Sequence, residues 1–371
     1  MTIIPNSYGY TCITKNATVA WAQAQQVIND LLSQNVKRLR FQIPWGGSTN
    51  KMEWQAPVGS TYYYNWAALD DLVARCEASG IWLQFCIQNP PSWHLTTYSV
   101  PGGGSFAWAT PADMAKFAGD IVTRYSTPVA QGGHGVLPSL EFGNEDADPF
   151  GQANNIRDYG GYIAGLWIMA CAPAVLAINP NLYVSTPALL QQSTTHYATW
   201  LNYLYSTGAG QYMRNTNIHY YKGNEGPPEN NGFAFSQAWQ ACQQGNAANG
   251  YPNQKIWITE TGWDMNSDAN PAPPSYPSPA TTWGYFQQML DEARFSGQIE
   301  VMMWYTIGTN DTKSLTVHGG ADGQPEEYQN PLFGNFGTYA GNYPNLQAAP
   351  ANNGIAVTAT SRDGLISVGS R

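Results

Sequence analysis

NTNIHYY at residues 215–221 and KIWITE at 255–260 flank a short helical pattern around 234–243, and this strand-helix-strand unit decides the fold. The heart of the second run, Ile256-Trp257-Ile258, lacks the polar alternation of a strand with one wet face, so it fits a sheet covered on both sides. Working outward, the same rhythm holds in both directions. NLYVST at 181–186 precedes a helical pattern at 196–206, and a helix at 281–296 leads into IEVMMWYT at 299–306. Toward the N-terminus, strands are expected at Tyr8 to Ile13, KRLRFQIPW (37–45), IWLQFCI (81–87) and GVLPSLEF (135–142). Helices are expected at 20–34, 65–79, 111–126 and 157–172. Eight strands separated by helices predict a parallel sheet, which closes as a (β/α)8 TIM barrel. A doubly wound sheet is the alternative, but the glycine-rich first turn it normally carries is absent after Tyr10.

A barrel needs roughly 250 residues, and the chain has 371. The surplus falls in long loops at 46–64, 88–110, 221–233 and 262–280, placed at the C-terminal face of the strands, and in a weakly periodic tail. The expected organisation is one barrel domain over 1–340 and a tail over 341–371 that covers the barrel bottom or frays. No stretch reads as an interdomain linker.

Charged residues make up 11% of the chain, against roughly 25% in an average soluble domain. Sixteen Lys and Arg against 25 Asp and Glu give a net charge of −9, the wrong sign for a nucleic-acid partner. Fourteen Trp, 23 Tyr and 12 Phe suit a neutral, hydroxyl-rich ligand instead. No membrane association is expected, since the longest helical candidate, 157–172, is interrupted by Tyr159, Gly160 and Gly161. The five His include no HxH or HExxH pattern and the five Cys no close pairs, so neither a metal nor another cofactor is expected. Phosphate chemistry is disfavoured too, because only scattered glycines follow strands seven and eight.

In such a barrel the chemistry sits at the C-terminal strand ends. Those ends carry Arg40, Asn89, His94, Asn144, Glu145, His219, Tyr221, Glu260, Trp304 and Tyr305. Polar groups within apolar runs are costly unless paired, so their concentration there requires a reason. Glu145 in LEFGNED and Glu260 in WITETGW close strands four and seven, on opposite sides of the ring. Two such carboxyls can flank one glycosidic bond, one protonating the leaving oxygen and the other attacking the anomeric carbon. Each Glu taken singly reads equally as a surface or helix-capping residue, so the neighbouring residues carry the inference. Glu141 reads as a buried partner of Arg40 or His219. Asp146, Asp148, Asp264 and Asp311 read as loop acids near the mouth.

The chain resembles glycoside hydrolase clan A, nearest to families 5 and 39, in the motifs Asn144-Glu145, Glu260 in ITETGW, Arg40, His219-x-Tyr221 and Trp304, which span residues 38 to 304. PPSWH at 90–94 is similar to family 39, and RFQIPW at 40–45 to family 5. FGNEDADPF departs from the NEP continuation common in both. The resemblance implies Glu145 as acid/base, Glu260 as nucleophile, Arg40 and Tyr221 beside the nucleophile, and Trp304 as a platform under the sugar. Asn144, His94 and His219 are further candidates for binding hydroxyls or orienting a carboxylate. Trp45, Trp93 and Trp263 are candidate sugar platforms, with core packing as the alternative for Trp45 and Trp263. Trp54 with Tyr62, Tyr63 and Tyr64 reads as a groove extension or a covered loop cluster. The expected function is a retaining β-glycoside hydrolase, with a silent carbohydrate-binding protein or a transglycosylase as alternatives. A monomer is expected. The N-terminus lacks a signal peptide, but the composition is similar to that of secreted polysaccharide-degrading proteins, so an extracellular location is expected, with a cytoplasmic one as the alternative.

Overall fold

In chain order the elements are β1 (Tyr8–Cys12), α1 (Ala24–Ser33), β2 (Arg38–Pro44), β3 (Glu53–Val58), β4 (Thr61–Tyr64), α2 (Ala67–Ser79), β5 (Trp82–Gln88), β6 (Leu95–Ser99), β7 (Ser105–Ala109), α3 (Pro111–Tyr125), β8 (Ser139–Phe142) and α4 (Asn154–Ile178). They continue with β9 (Tyr183–Ser185), α5 (Thr194–Ser206), β10 (Asn215–Gly223), α6 (Phe235–Ala248), β11 (Lys255–Trp263), α7 (Pro279–Ser296), β12 (Ile299–Tyr305) and α8 (Pro331–Asn342). The computed structural model describes residues 7–12, 24–46, 52–101, 104–126, 139–145, 154–190, 193–223, 226–229, 233–264, 276–307, 316–318, 327–329, 331–343, 346, 355–357 and 368–370.

Strands β1, β2, β5, β8, β9, β10, β11 and β12 close into one parallel barrel, the predicted (β/α)8 fold. Helix starts follow the local chemistry. Thr110 and Ser278 each accept the backbone N–H three residues on, and a Pro follows each at the first helical position. Gly80 and Gly297 end α2 and α7 at φ of 64° and 62°.

Helix α4 departs from the sequence expectation, running unbroken through Tyr159, Gly160 and Gly161. A Cβ on Gly161 would meet the Trp200 carbonyl oxygen, and one on Gly165 the Thr207 hydroxyl. The glycines therefore let α4 lie close against α5 rather than breaking it. Its Asp158–Ile178 stretch is long and apolar enough to cross a membrane by length and composition, and here it packs on the barrel with half of that stretch buried. Periodicity also gave no signal for α8. This helix lies against the outside of β1, where Phe336 meets the edges of Tyr8 and Tyr10 at 6.0 and 5.3 Å, and it extends past residue 340. Two of the expected loops are antiparallel hairpins, β3–β4 and β6–β7, raised from the ends of β2 and β5. Of the 262–280 loop, residues 265–275 lie outside the described residues, as do most of the 341–371 tail and the acids Asp146, Asp148 and Asp311.

The alternation of side chains along each strand divides core from site. Leu39, Phe41 and Ile43 of β2 join the shell between barrel and helices, whereas Arg38, Arg40 and Gln42 lie on the other face, inside the barrel. At the bottom, the Arg38 guanidinium lies between the Trp82 and Trp257 rings, 5.5 and 5.0 Å from their centroids. Above it the interior turns polar, with Gln84, Glu141, Ser185, Asn215 and Asn217 all buried.

Candidate active site

Arg40 organises the centre of the mouth. Its Nε and Nη2 donate to the two Glu141 oxygens at 2.7 and 3.0 Å, Nη1 donates to Glu260 Oε1 at 2.6 Å, and Nη2 donates to Asn144 Oδ1 at 2.6 Å. Burial works against this cation, but Glu141, Cys86 and Glu260 outweigh it and hold the guanidinium firmly charged. Glu141 is thus the buried partner of Arg40 that the sequence suggested.

Glu260 reaches the interior through an irregularity. Between Ile258 and Thr261 the register of β11 against β12 slips, so Glu260 turns inward while Thr261 faces Met289 of α7. Its Oε1 accepts from Arg40 and from Gln42 Nε2 (3.1 Å), and its Oε2 accepts from the Tyr221 hydroxyl at 2.5 Å. Burial and the neighbouring Glu260 keep the Tyr221 phenol protonated, as a donor must be. Gln42 was not singled out from the sequence, although its two-residue offset from Arg40 puts it on the same strand face. Gln88 Nε2 in turn donates to Gln42 Oε1 at 2.9 Å.

Beyond β8, Gly143 adopts φ +101°, a conformation a side chain would strain, and this turn sets Asn144 and Glu145 over the mouth. Glu145 is half-buried, and its Oε1 lies 2.6 Å from His219 Nδ1. Full burial pushes the His219 pKa down to about 4, with Arg40 acting the same way against Glu260 and Glu141. The ring is therefore neutral near pH 7. Its Nδ1–H donates to an ionised Glu145, whereas a protonated Glu145 donates to Nδ1.

The facing atoms of Glu145, His219 and Glu260 lie within 4.8 Å of one another. Among the described residues, these three are the ones grouped closely enough to hold a metal ion. Arg40 and Tyr221 already hold both Glu260 oxygens, and a second cation beside the guanidinium would be repelled. The arrangement is better suited to moving protons than to binding an ion.

A search of protein families finds a match to the glycosyl hydrolase catalytic core over residues 164–322, the stretch that carries His219, Tyr221 and Glu260. The chain is a glycoside hydrolase. Arg40, Asn144 and Glu145 precede the matched stretch, and the barrel brings them to it. Among solved structures, a family 39 glycoside hydrolase from Bacteroides cellulosilyticus WH2 superposes with a TM-score of 0.60 at 12% identity, over 100% of this chain and 70% of that one. A family 39 β-xylosidase from Caulobacter crescentus gives 0.57 at 15% identity, covering 92% and 72%. A family 1 β-glucosidase from Thermotoga maritima gives 0.61 at 8% identity, covering 92% and 99%. At these identities the likeness is one of fold. No curated protein matches the chain by sequence. The resemblance to clan A drawn from the motifs around Glu145 and Glu260 agrees with both findings.

The hydrolase departs from expectation at several aromatic positions. Trp304 is fully buried, with Phe286 of α7 against its edge and Trp263 stacked beside it, so it lies in the outer core. Tyr305, one residue on, faces inward and meets Tyr221 edge-on at 5.7 Å. Trp263 is also fully buried, its Nε1 donating to the Gly226 carbonyl. Trp45 is sandwiched between His94 and Phe117 and offers no open face. His94 contacts Glu53 and Asp113 at 2.9 and 3.2 Å, clasping the first hairpin to α3. Burial opposes its charge, but Glu53 and Asp113 raise its pKa overall. Glu53, fully buried, also accepts from Trp45 Nε1 at 2.8 Å and Trp93 Nε1 at 3.3 Å. Of the four tryptophans, only Trp93 keeps substantial exposure, at 39%.

Proposed function

We propose that this hydrolase cleaves β-linked glycosides of oligo- or polysaccharides with retention of anomeric configuration. The observation that supports this reading is the approach of Glu145 and Glu260, whose facing oxygens lie within 4.8 Å. Retaining enzymes hold their carboxyls roughly 5–5.5 Å apart, and inverting ones about 6.5–9.5 Å, to admit a water.

The surroundings divide the roles. Glu260 is buried and accepts hydrogen bonds from three donors, one of them a cation, which fix both of its oxygens in place as a nucleophile requires. Glu145 is half-buried beside a neutral imidazole, and so suited to exchanging a proton with water. In the first step a Glu260 oxygen bonds to the anomeric carbon as the glycosidic bond breaks, and Glu145 delivers its proton to the departing oxygen. In the second, Glu145 takes a proton from water, whose oxygen bonds to the anomeric carbon, and Glu260 leaves as the carboxylate. With Asn144 Oδ1 turned to Arg40, the amide NH2 is the group it has to offer a sugar hydroxyl.

Replacing the two acids separates these roles. Glu260→Gln abolishes turnover of every glycoside while cooperative unfolding persists. Glu145→Gln suppresses turnover of natural linkages but spares the first step on an aryl glycoside whose leaving group needs no proton. Near-normal turnover by Glu260→Gln would overturn the proposal.

A further inference from the structure

Two amides stand one behind the other beside Glu260, and the outer one, Gln88, has no part in the double displacement. In the register of β2 against β5, Gln42 lies level with Cys86, and Gln88 lies two residues further on, level with Pro44. Pro44 has no polar side-chain group to meet Gln88, which turns back instead and donates from Nε2 to Gln42 Oε1 at 2.9 Å. Gln42 in turn donates from Nε2 to Glu260 Oε1 at 3.1 Å.

The outer contact sets which way the inner amide points. A carboxylate only accepts, so the end of Gln42 that faces Glu260 must be the NH2, and its oxygen must face the Gln88 NH2. Turned over, the amide would set oxygen against oxygen at one end and NH2 against NH2 at the other. Gln42 is almost wholly buried, so bulk water does not replace a lost partner. The Gln88 backbone is itself anchored. Its carbonyl accepts Trp45 N at 3.1 Å, the Asn89 carbonyl accepts Gly46 N at 2.6 Å, and Asn89 takes the left-handed φ of +53°. That conformation is costly for a residue with a side chain and persists where the surroundings impose it. Strand β5 thus ends in a fixed turn directly after Gln88.

We propose that Gln88 is a positioning residue for glycoside cleavage, acting through Gln42: it holds the Gln42 amide in the one orientation that keeps a donor on Glu260 Oε1. This inference rests on the glycosidase reading and deepens it. Turnover of para-nitrophenyl β-xyloside, β-glucoside, β-mannoside and β-galactoside by variants tests it. Gln42→Met removes a donor to a charged group and lowers kcat/KM about 10-fold or more, and Gln88→Met removes a neutral hydrogen bond and lowers it about 3- to 10-fold. Gln88→Glu keeps the volume but presents an acceptor, so the Gln42 amide turns toward it and away from Glu260, and the loss at least matches that of Gln88→Met. Once Gln42→Met is present, adding Gln88→Met costs nothing further, within about twofold, because its route to Glu260 is already gone. A residue that merely packs the strand end would tolerate Gln88→Glu and lose activity additively, so full activity in Gln88→Glu or additive losses in the double variant would overturn the proposal. A second readout needs no turnover. Hydrogen exchange of the Gln42 side-chain amide, whose NMR signal is identified by its loss in Gln42→Met, quickens about tenfold in Gln88→Met as one hydrogen bond's restraint is lost. Cleavage of none of these glycosides would count against the glycosidase reading, and exchange then decides the positioning by itself: equal rates in the parent and Gln88→Met overturn it.

Discussion

Replacing Arg40 with Met removes the cation that, among the described residues, is hydrogen-bonded to the two buried carboxylates Glu141 and Glu260, and its consequence can be worked from the contacts. Four hydrogen bonds are lost, two of them to Glu141, which is fully buried. A unit-charge pair at 4 Å is worth about 4 kcal/mol at an effective dielectric of 20. Breaking a buried pair from one side typically costs about 3–5 kcal/mol, because the stranded charge has lost its water as well as its partner. Arg40→Met is therefore expected to lower unfolding stability by about 4 kcal/mol in urea titrations at pH 7. Glu141 also accepts from Gln84 at 3.2 Å, so some solvation of its charge remains. Adding Glu141→Gln to Arg40→Met removes one stranded charge, and the double variant should regain about half of the loss. If Arg40→Met cost less than about 1 kcal/mol, or if the double variant were no more stable than the single one, the network would not be the buried charge cluster described above.

Three further outcomes follow from individual groups. Tyr221→Phe deletes the donor to Glu260 Oε2; a hydrogen bond to a charged group is worth about 1.5–3 kcal/mol, so kcat/KM should fall about 10- to 100-fold with unchanged secondary structure by circular dichroism. His219 is held neutral at a pKa of about 4 against 6.5 when unfolded, so the unfolded chain binds the extra proton first. Stability from this residue is full above pH 6.5 and is lost as pH falls toward 4, by about 3 kcal/mol in all, and urea midpoints of His219→Gln should show a shallower fall across that window. His94 has the opposite sign: its pKa is raised by Glu53 and Asp113, so its contribution is full below pH 6.5 and fades as pH rises through the folded value. Comparing His94→Gln with the parent at pH 5 and pH 9 should therefore show the larger stability difference at pH 5.

The strand-helix alternation was legible because several strands, such as IWLQFCI and KIWITE, carry short apolar or β-branched runs between helical patterns, and the carboxylates at strand ends stood out against that background. Arg40, Asn144, Glu145, His219, Tyr221 and Glu260 meet at one place, as their positions suggested. The sequence could not settle which of Trp304 and Tyr305 faces inward. Between Glu300 and Thr306 the run VMMWY is without charge or polar alternation, and a sheet covered on both faces leaves no pattern there from which to read the face. The inward turn of Glu260 depends on a register slip in β11, which has no residue-level signature. Glu53 was missed because its environment is assembled from three separated segments, and its donors Trp45, Trp93 and His94 were read as possible sugar contacts. Gly160 and Gly161 looked like interruptions because propensity weighs against glycine in a helix, whereas Gly161 and Gly165 serve close packing on α5.

The central claim is that Glu145 and Glu260 act on one bond through a covalent glycosyl-enzyme. Time-resolved NMR of product anomers, recorded as the enzyme hydrolyses β-linked xylo-, gluco-, manno- or galacto-oligosaccharides, tests it most directly. The β-anomer should appear first and mutarotate only later. Initial release of the α-anomer would contradict the account, since inversion places a water between carboxyls about 6.5–9.5 Å apart, whereas facing atoms of Glu145 and Glu260 lie within 4.8 Å of each other.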